Sequence, residues 1–148
     1  MPLIRQGSLD QALNRLVSRK EQHVKVGILD NSKYPDGTSV ATVAFMNEYG
    51  TSRIPPRPFF RQTISEQKSN WTQLAKDSIK MGYSIEHTLG LVGAQMQTDI
   101  QYSIMTWTTP PNAPYTIAKK GVNSPLRDRK AANGVLLLHD SIKFEVTE

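Results

Sequence analysis

The side chains that most often carry enzyme chemistry are few and widely separated in this chain of 148 residues. Its three histidines, His23, His87 and His139, do not have the spacing of a metal-ligand set, and there is no cysteine to supply a thiolate. The sequence also lacks a glycine-rich phosphate loop, a Gly-x-Ser-x-Gly elbow and a His-Glu-x-x-His motif. We therefore expect no metal site and no cofactor.

Two pairs of polar side chains are the candidates for general acid–base catalysis. Glu48 lies beside Asn47, and Asp128 precedes Asp140 in the C-terminal part of the chain. Neither pair belongs to a catalytic motif, so a small hydrolase has little support. We predict that the protein is not an enzyme.

The composition favours one basic domain, covering residues 1–148. The length fits the usual range of about 100–200 residues per domain. A formal charge of +5 and a pI near 9.6 would favour nucleic acid or another acidic partner, although a basic protein need not bind either. The mean hydropathy of -0.44 is polar for a self-sufficient globule, which fits further burial against partner subunits. Without a signal-peptide core or a membrane-spanning run, we expect a soluble protein.

The N-terminal half alternates helix and strand signals. A capping-box pattern at Ser8 predicts an amphipathic helix that ends near Lys20. Its apolar stripe consists of Leu9, Leu13, Leu16 and Val17. Period-two alternation predicts a strand from His23 to Leu29, and residues 30–38 have the composition of an exposed loop. Ser39 would cap a short helix with apolar residues on two sides, which predicts burial on both sides. Its second face consists of Ala41, Phe45 and Tyr49.

A proline-rich hinge follows that helix. Gly50 can adopt the left-handed conformation that closes a helix, and residues 54–57 should form an extended connector. Pro58 suits the first turn of a long helix that reaches about Met81 and is closed by Gly82. The predicted buried stripe of this helix comprises Phe60, Ile64, Trp71, Leu74, Ala75 and Ile79. Trp71 and Trp107 are expected to lie in the core or an interface.

The next helix should begin at Ser84 and bury a second stripe. This stripe comprises Leu89, Val92, Met96, Ile100 and Ile104. Each helical glycine costs about 0.8–1.0 kcal/mol relative to alanine, so Gly90 and Gly93 suggest close backbone packing, with flexibility as the alternative. Asn112 could cap a short helix that starts at Pro114.

A basic segment separates that short helix from the C-terminus. Residues 119–134 mix cations with Gly, Asn, Ser and Pro, and we expect a long, mobile basic loop there. Its cations are Lys119, Lys120, Arg127, Arg129 and Lys130. After an apolar stretch, Ile142, Phe144 and Val146 alternate with polar residues, which predicts a closing strand.

Several short motifs follow one another along roughly residues 23–146. They are Val26-Gly27-Ile28-Leu29, Tyr34 with Asp36-Gly37, Val40-Ala41, Asn47-Glu48-Tyr49-Gly50-Thr51, Ile54-Pro55-Pro56-Arg57-Pro58-Phe59, Pro110-Pro111-Asn112-Ala113-Pro114, Thr116-Ile117 and Lys119-Lys120-Gly121. In content and order these motifs resemble the tail-completion or head–tail joining proteins of tailed bacteriophages, including the minor tail protein Z group. The family usually has Pro-Leu-x-Asp-Thr-Gly-x-Leu before Ser-Ile. Between Pro125 and Asp140 this chain is longer and more basic.

The resemblance implies an α+β subunit with a small, mostly antiparallel sheet covered by helices, assembled as a ring for which the family expectation is a hexamer. Such a protein would be a virion component assembled in the host cytoplasm. It would complete or terminate the tail tube and provide a docking surface for the head-side connector or head completion protein. Its partners would be further copies, the tail tube protein and the connector, with possible contact to DNA in the channel and none to a membrane. The expected contact residues are Asn47, Glu48, Tyr49, Arg57, Pro58, Phe59, Lys119, Lys120, Arg127, Arg129 and Lys130.

One alternative function rests on the residues alone. The basic segment 119–130, with Tyr115 nearby, could form a nucleic-acid-binding module. Binding through phosphate contacts weakens steeply with salt, whereas a ring built on apolar contacts should tolerate it.

Overall fold

The α+β class predicted from the sequence is confirmed in a computed structural model, which describes residues 21–121, 123–126 and 137–148. In chain order the elements are β1 (His23–Ile28), α1 (Val40–Tyr49), α2 (Phe59–Lys80), α3 (Ile85–Thr106), α4 (Pro114–Lys120), α5 (Leu137–Asp140) and β2 (Ile142–Thr147). The helix predicted from Ser8 to Lys20 lies outside the described residues. In the described part of the chain, no helix has the length and apolarity needed to span a bilayer.

The two strands pair as an antiparallel ribbon in which Val24 faces Val146 and Val26 faces Phe144. Helix α3 packs across this ribbon at Gly93. A Cβ atom at Gly93 would lie 2.8 Å from Val24 Cγ2 and 2.9 Å from Phe144 Cγ, so only glycine allows this approach. Close packing is thus confirmed at Gly93, whereas a Cβ at Gly90 would have no neighbour within 4 Å.

The core lies where α1, the start of α2 and the C-terminal half of α3 meet α5 and β2. It is formed by Val40, Ala44, Phe59, Ile100, Ile104, Leu126, Leu138 and Ile142. Trp71 joins α2 to α3, because it is buried and its Nε1 donates to Asp99 Oδ2 at 2.6 Å. Trp107 is partly buried and packs against the core, so both tryptophans contact the interior as expected.

Helix α1 begins where its sequence predicts but is buried on one side only. Ser39 is the N-cap, and its Oγ accepts from the amide of Thr42. Val40 and Ala44 are buried, whereas Phe45 is 63% and Tyr49 54% exposed. The prediction of burial on both sides was wrong for the described residues, since no described element covers the Phe45 face.

Helix α2 lies within one residue of its predicted bounds, with two corrections. Pro58 is its N-cap rather than its first helical residue, and Met81 is its C-cap ahead of Gly82. Ile64 and Ile79 are exposed, so the predicted stripe is buried only in part. The exposed positions lie along a helix of 22 residues that is longer than the small core it packs against.

The C-terminal segment differs from the expected loop. Lys119 and Lys120 form the last turn of α4, which has Pro114 at its start and Ala113, not Asn112, as N-cap. Leu126 is buried in the core, although most of the predicted loop is polar or charged. The part of the predicted loop after Leu126, including Arg127, Arg129 and Lys130, lies outside the described residues.

Candidate interaction site

Arg57 is the centre of a hydrogen-bonded cluster that joins distant parts of the chain. Its side chain is buried, with 4% of the residue exposed. Its Nε donates to the carbonyl of Pro110 at 2.9 Å, and Nη2 donates to the carbonyl of Pro111 at 3.2 Å. Asn112 and Asn47 accept through their side-chain oxygens at 3.4 and 3.5 Å. We call these five residues the arginine cage.

Every acceptor in the arginine cage is a neutral oxygen, so the guanidinium is bound as a fork by carbonyl groups rather than by a carboxylate. Burial lowers the pKa of Arg57 below the ordinary arginine value. A second link runs through the backbone, where the amide of Arg57 donates to the carbonyl of Asn47 at 2.6 Å. Arg57 is therefore not a solvated surface charge.

Glu48 is also buried, and it caps the next helix. Its Oε2 accepts from the amide of Phe60 at 2.9 Å, and its Oε1 accepts from the amide of Arg61 at 3.0 Å. These amides lie in the first turn of α2, where a helix leaves its N–H groups unpaired and favours a negative charge. Arg61 completes the arrangement, since its Nε donates to Glu48 Oε1 at 2.9 Å.

Glu48 and Asn47, which were one candidate pair for acid–base catalysis, both make hydrogen bonds within the fold. Both oxygens of Glu48 accept hydrogen bonds, and Asn47 binds Arg57 and the carbonyl of Val43. Phe59 is fully buried and belongs to the core rather than to an exposed surface. These residues hold the hinge between α1 and α2 in one conformation.

Beside the hinge lies an exposed aromatic surface, which we call the aromatic patch: Phe45, Tyr49 and Arg61. The rings of Phe45 and Tyr49 are 4.7 Å apart. Arg61 Cζ lies 4.6 Å from the centre of the Tyr49 ring, close enough for a cation–π contact. The patch therefore presents two large rings, already held in place, to the outside.

The basic residues of the predicted site are only partly described. Lys119 is exposed, and Lys120 Nζ donates to the carbonyl of Pro125 at 3.2 Å. Tyr115 is exposed on the same short helix. Arg127, Arg129 and Lys130 lie outside the described residues.

A polar cleft of about 420 Å³ lies between α2 and α3. It contains Glu66 and Asp99, but Asp99 accepts from Trp71 Nε1 and from Gln95 Nε2, so both its oxygens are in use. Within the described ranges there is no group of three or more His, Cys, Asp or Glu side chains placed to hold a metal ion.

Sequence reasoning missed the members of these sites that depend on contacts between distant segments. Asn112 was expected to cap a helix, but it accepts from Arg57 and donates to the carbonyl of Ser124. Arg61 was not singled out. Its only sequence signal is its place next to Phe60 at the start of a helix, which does not reveal Glu48 or Tyr49 as partners.

Comparison with known proteins identifies no relative of this chain. No protein-family description, no curated protein and no solved structure matches the chain.

Proposed function

We propose that this protein is a structural virion subunit at the head–tail junction of a tailed phage. It would assemble as a ring, with a hexamer expected, on the end of the tail tube. There it would complete or terminate the tube and offer a docking surface to the head-side connector. In this role it carries out no catalytic turnover.

The observation that supports the proposal most is that three of the motifs that resemble the phage family contact one another through hydrogen bonds. Asn47 belongs to the motif that ends at Thr51, Arg57 to the proline-rich motif that follows it, and Pro110, Pro111 and Asn112 to the motif that ends at Pro114. All five residues are members of the arginine cage. Motifs chosen only for their resemblance thus form one packed unit. A shared fold would explain why these residue types recur together.

The aromatic patch gives the proposed ring a contact surface. Aromatic and arginine side chains are enriched at the centres of protein interfaces, where they bury much area at a low cost in side-chain entropy. Phe45 and Tyr49 are anchored by their mutual contact and by Arg61. They adjoin the hinge that Arg57 and Glu48 hold rigid, so the patch is preorganised for binding.

Replacing the patch tests the proposal. The double variant Phe45→Ser/Tyr49→Ser should keep its thermal unfolding temperature within a few degrees, because both rings are exposed. Phage that depend on this variant should yield separate heads and tails instead of joined particles, as counted by electron microscopy.

Ile79→Ser is the matched control, since Ile79 is an exposed apolar residue at the far end of α2. It should give normal particle counts. Joined infectious particles at wild-type numbers from the double variant would show that the patch has no role in assembly.

A further inference from the structure

A second exposed feature of the molecule is a groove of about 570 Å³ where the first turns of α3 lie beside β2. Its apolar lining includes Leu91, Phe144 and Val146, and Glu86 contributes a carboxylate. A methyl group at Gly90, which also lines the groove, would have no neighbour within 4 Å. Apolar side chains, an acidic side chain and open space thus meet in one place.

The aromatic patch is complementary to this groove in chemistry. Phe45 and Tyr49 are large exposed rings, and aromatic side chains are enriched at protein interfaces. Arg61 adds a positive charge to the patch, since its side chain stays 55% exposed while it binds Glu48. Glu86 in the groove has the opposite charge. Opposite charges across an interface favour one partner and fix its orientation.

The aromatic patch and the groove lie at opposite ends of the pair of helices α2 and α3. These helices run antiparallel, since Trp71 in α2 binds Asp99 in α3. Near the start of α2, Thr63 lines the same cleft as Trp107, which follows α3. The patch therefore lies near the end of α3, and the groove lies near its start. Because a helix of 22 residues is about 33 Å long, the patch of one molecule is kept away from its own groove.

We propose that the aromatic patch of one copy docks in the groove of the next copy. In this contact the two rings pack on the apolar lining, and Arg61 faces Glu86. The contact joins two different surfaces, so each added copy leaves one patch and one groove free for further copies. Contacts of this head-to-tail kind give a ring when the rotation between copies closes. Only the closed ring rests on the proposed function, because the docking itself can be measured on the protein alone.

Chemical cross-linking tests the docking, because the natural chain has no cysteine. Ala41→Cys places a thiol beside the patch, one helical turn before Phe45. Ala94→Cys places a thiol beside the groove, one turn after Gly90. Both alanines are exposed, so the two surfaces themselves stay intact. The two single variants, one of them isotopically labelled, are mixed and treated with a short bis-maleimide, and mass spectrometry should find mixed pairs above the proportion that random collision gives.

Two controls separate docking from chance encounters. Ser69→Cys, at an exposed position of α2 outside both surfaces, replaces Ala94→Cys and should give only the random proportion of mixed pairs. Gly90→Trp, added to the Ala94→Cys chain, should fill the groove and remove the excess, whereas Gly90→Ala should leave it unchanged. A monofunctional maleimide checks that the thiol stays accessible in both of these chains.

Mixed pairs at the random proportion, both in solution and on tail tubes, would overturn the docking. An excess of mixed pairs that Gly90→Trp does not reduce would overturn it as well. Rings on tail tubes without that excess would leave the proposed function standing and show that the copies meet through other surfaces. An excess of mixed pairs with bare tube ends would support the docking and contradict the position on the tail tube.

Discussion

At the scale of residues, the hinge is held by two buried charges with different partners. Arg57 is surrounded by neutral oxygens, whereas Glu48 binds helix amides and Arg61. Burying a charge lowers the stability of a protein unless the charge is hydrogen-bonded. Substitutions that remove a partner from either arrangement should therefore destabilise the fold. Arg57 is the more exacting of the two, because a fork of N–H groups is needed to reach several acceptors at once.

The first prediction concerns this fork. Arg57→Ala should lower the free energy of unfolding by about 3 kcal/mol, since each buried acceptor left unpaired costs about 1–3 kcal/mol. Arg57→Lys should recover only part of the loss, because an ammonium group cannot reproduce the fork. Chemical denaturation of the purified variants measures both values.

Arg53→Ala is the control for that series, because Arg53 is exposed and four residues upstream in the same hinge. Its effect should stay within about 0.5 kcal/mol. If Arg57→Ala were as stable as Arg53→Ala, the cage would contribute nothing to the fold.

At the scale of elements, helix α3 is the framework of the molecule. It covers the ribbon, packs along α2 and supports α5. Its closest approach to the ribbon is at Gly93, where side chains of both strands fill the space that a Cβ atom would occupy. The packing of α3 on the ribbon therefore depends on the absence of a side chain at Gly93.

A pair of glycine substitutions tests this packing. Gly93→Ala should destabilise the protein by about 1–3 kcal/mol through overpacking. Gly90→Ala, one turn earlier on the same helix, should not destabilise it, because its methyl group meets open space and alanine is the better helix former. Thermal unfolding of both variants would show the difference, and equal melting temperatures would argue against the close approach at Gly93.

The sequence predicted the elements whose signals are local. Alternation gave both strands, and the hydroxyl caps Ser39 and Ser84 marked the starts of α1 and α3. Contacts between distant segments could not be predicted in this way. Nothing near Arg57 in the sequence points to Pro110. Leu126 lies in a stretch rich in polar and charged residues, and only the assembled core explains its burial.

The exposed side of α1 was mispredicted for a similar reason. Apolar residues on two helix faces indicate two contacts, but periodicity does not say whether the second contact lies within the chain. In the described structure the second face carries the aromatic patch. An exposed aromatic cluster of this kind fits a surface that a partner covers.

At the scale of the whole molecule, two properties bear on the proposed ring, namely the basic charge and the exposed aromatic patch. The formal charge of +5 would suit a position near DNA in a channel, and the aromatic patch would suit a neighbouring copy. Contacts made by the basic charge and contacts made by the aromatic patch should respond differently to salt. Contacts to phosphate weaken as ions are added, whereas apolar contacts do not.

Electron microscopy of purified tail tubes mixed with this protein is a direct test of the proposed position at the end of the tail tube. We expect a closed ring on one end of each tube, retained at raised salt and lost in the Phe45→Ser/Tyr49→Ser variant. Bare tube ends would contradict it. The nucleic-acid alternative would gain support if the protein instead bound duplex DNA, with a salt slope near -0.9 per neutralised phosphate.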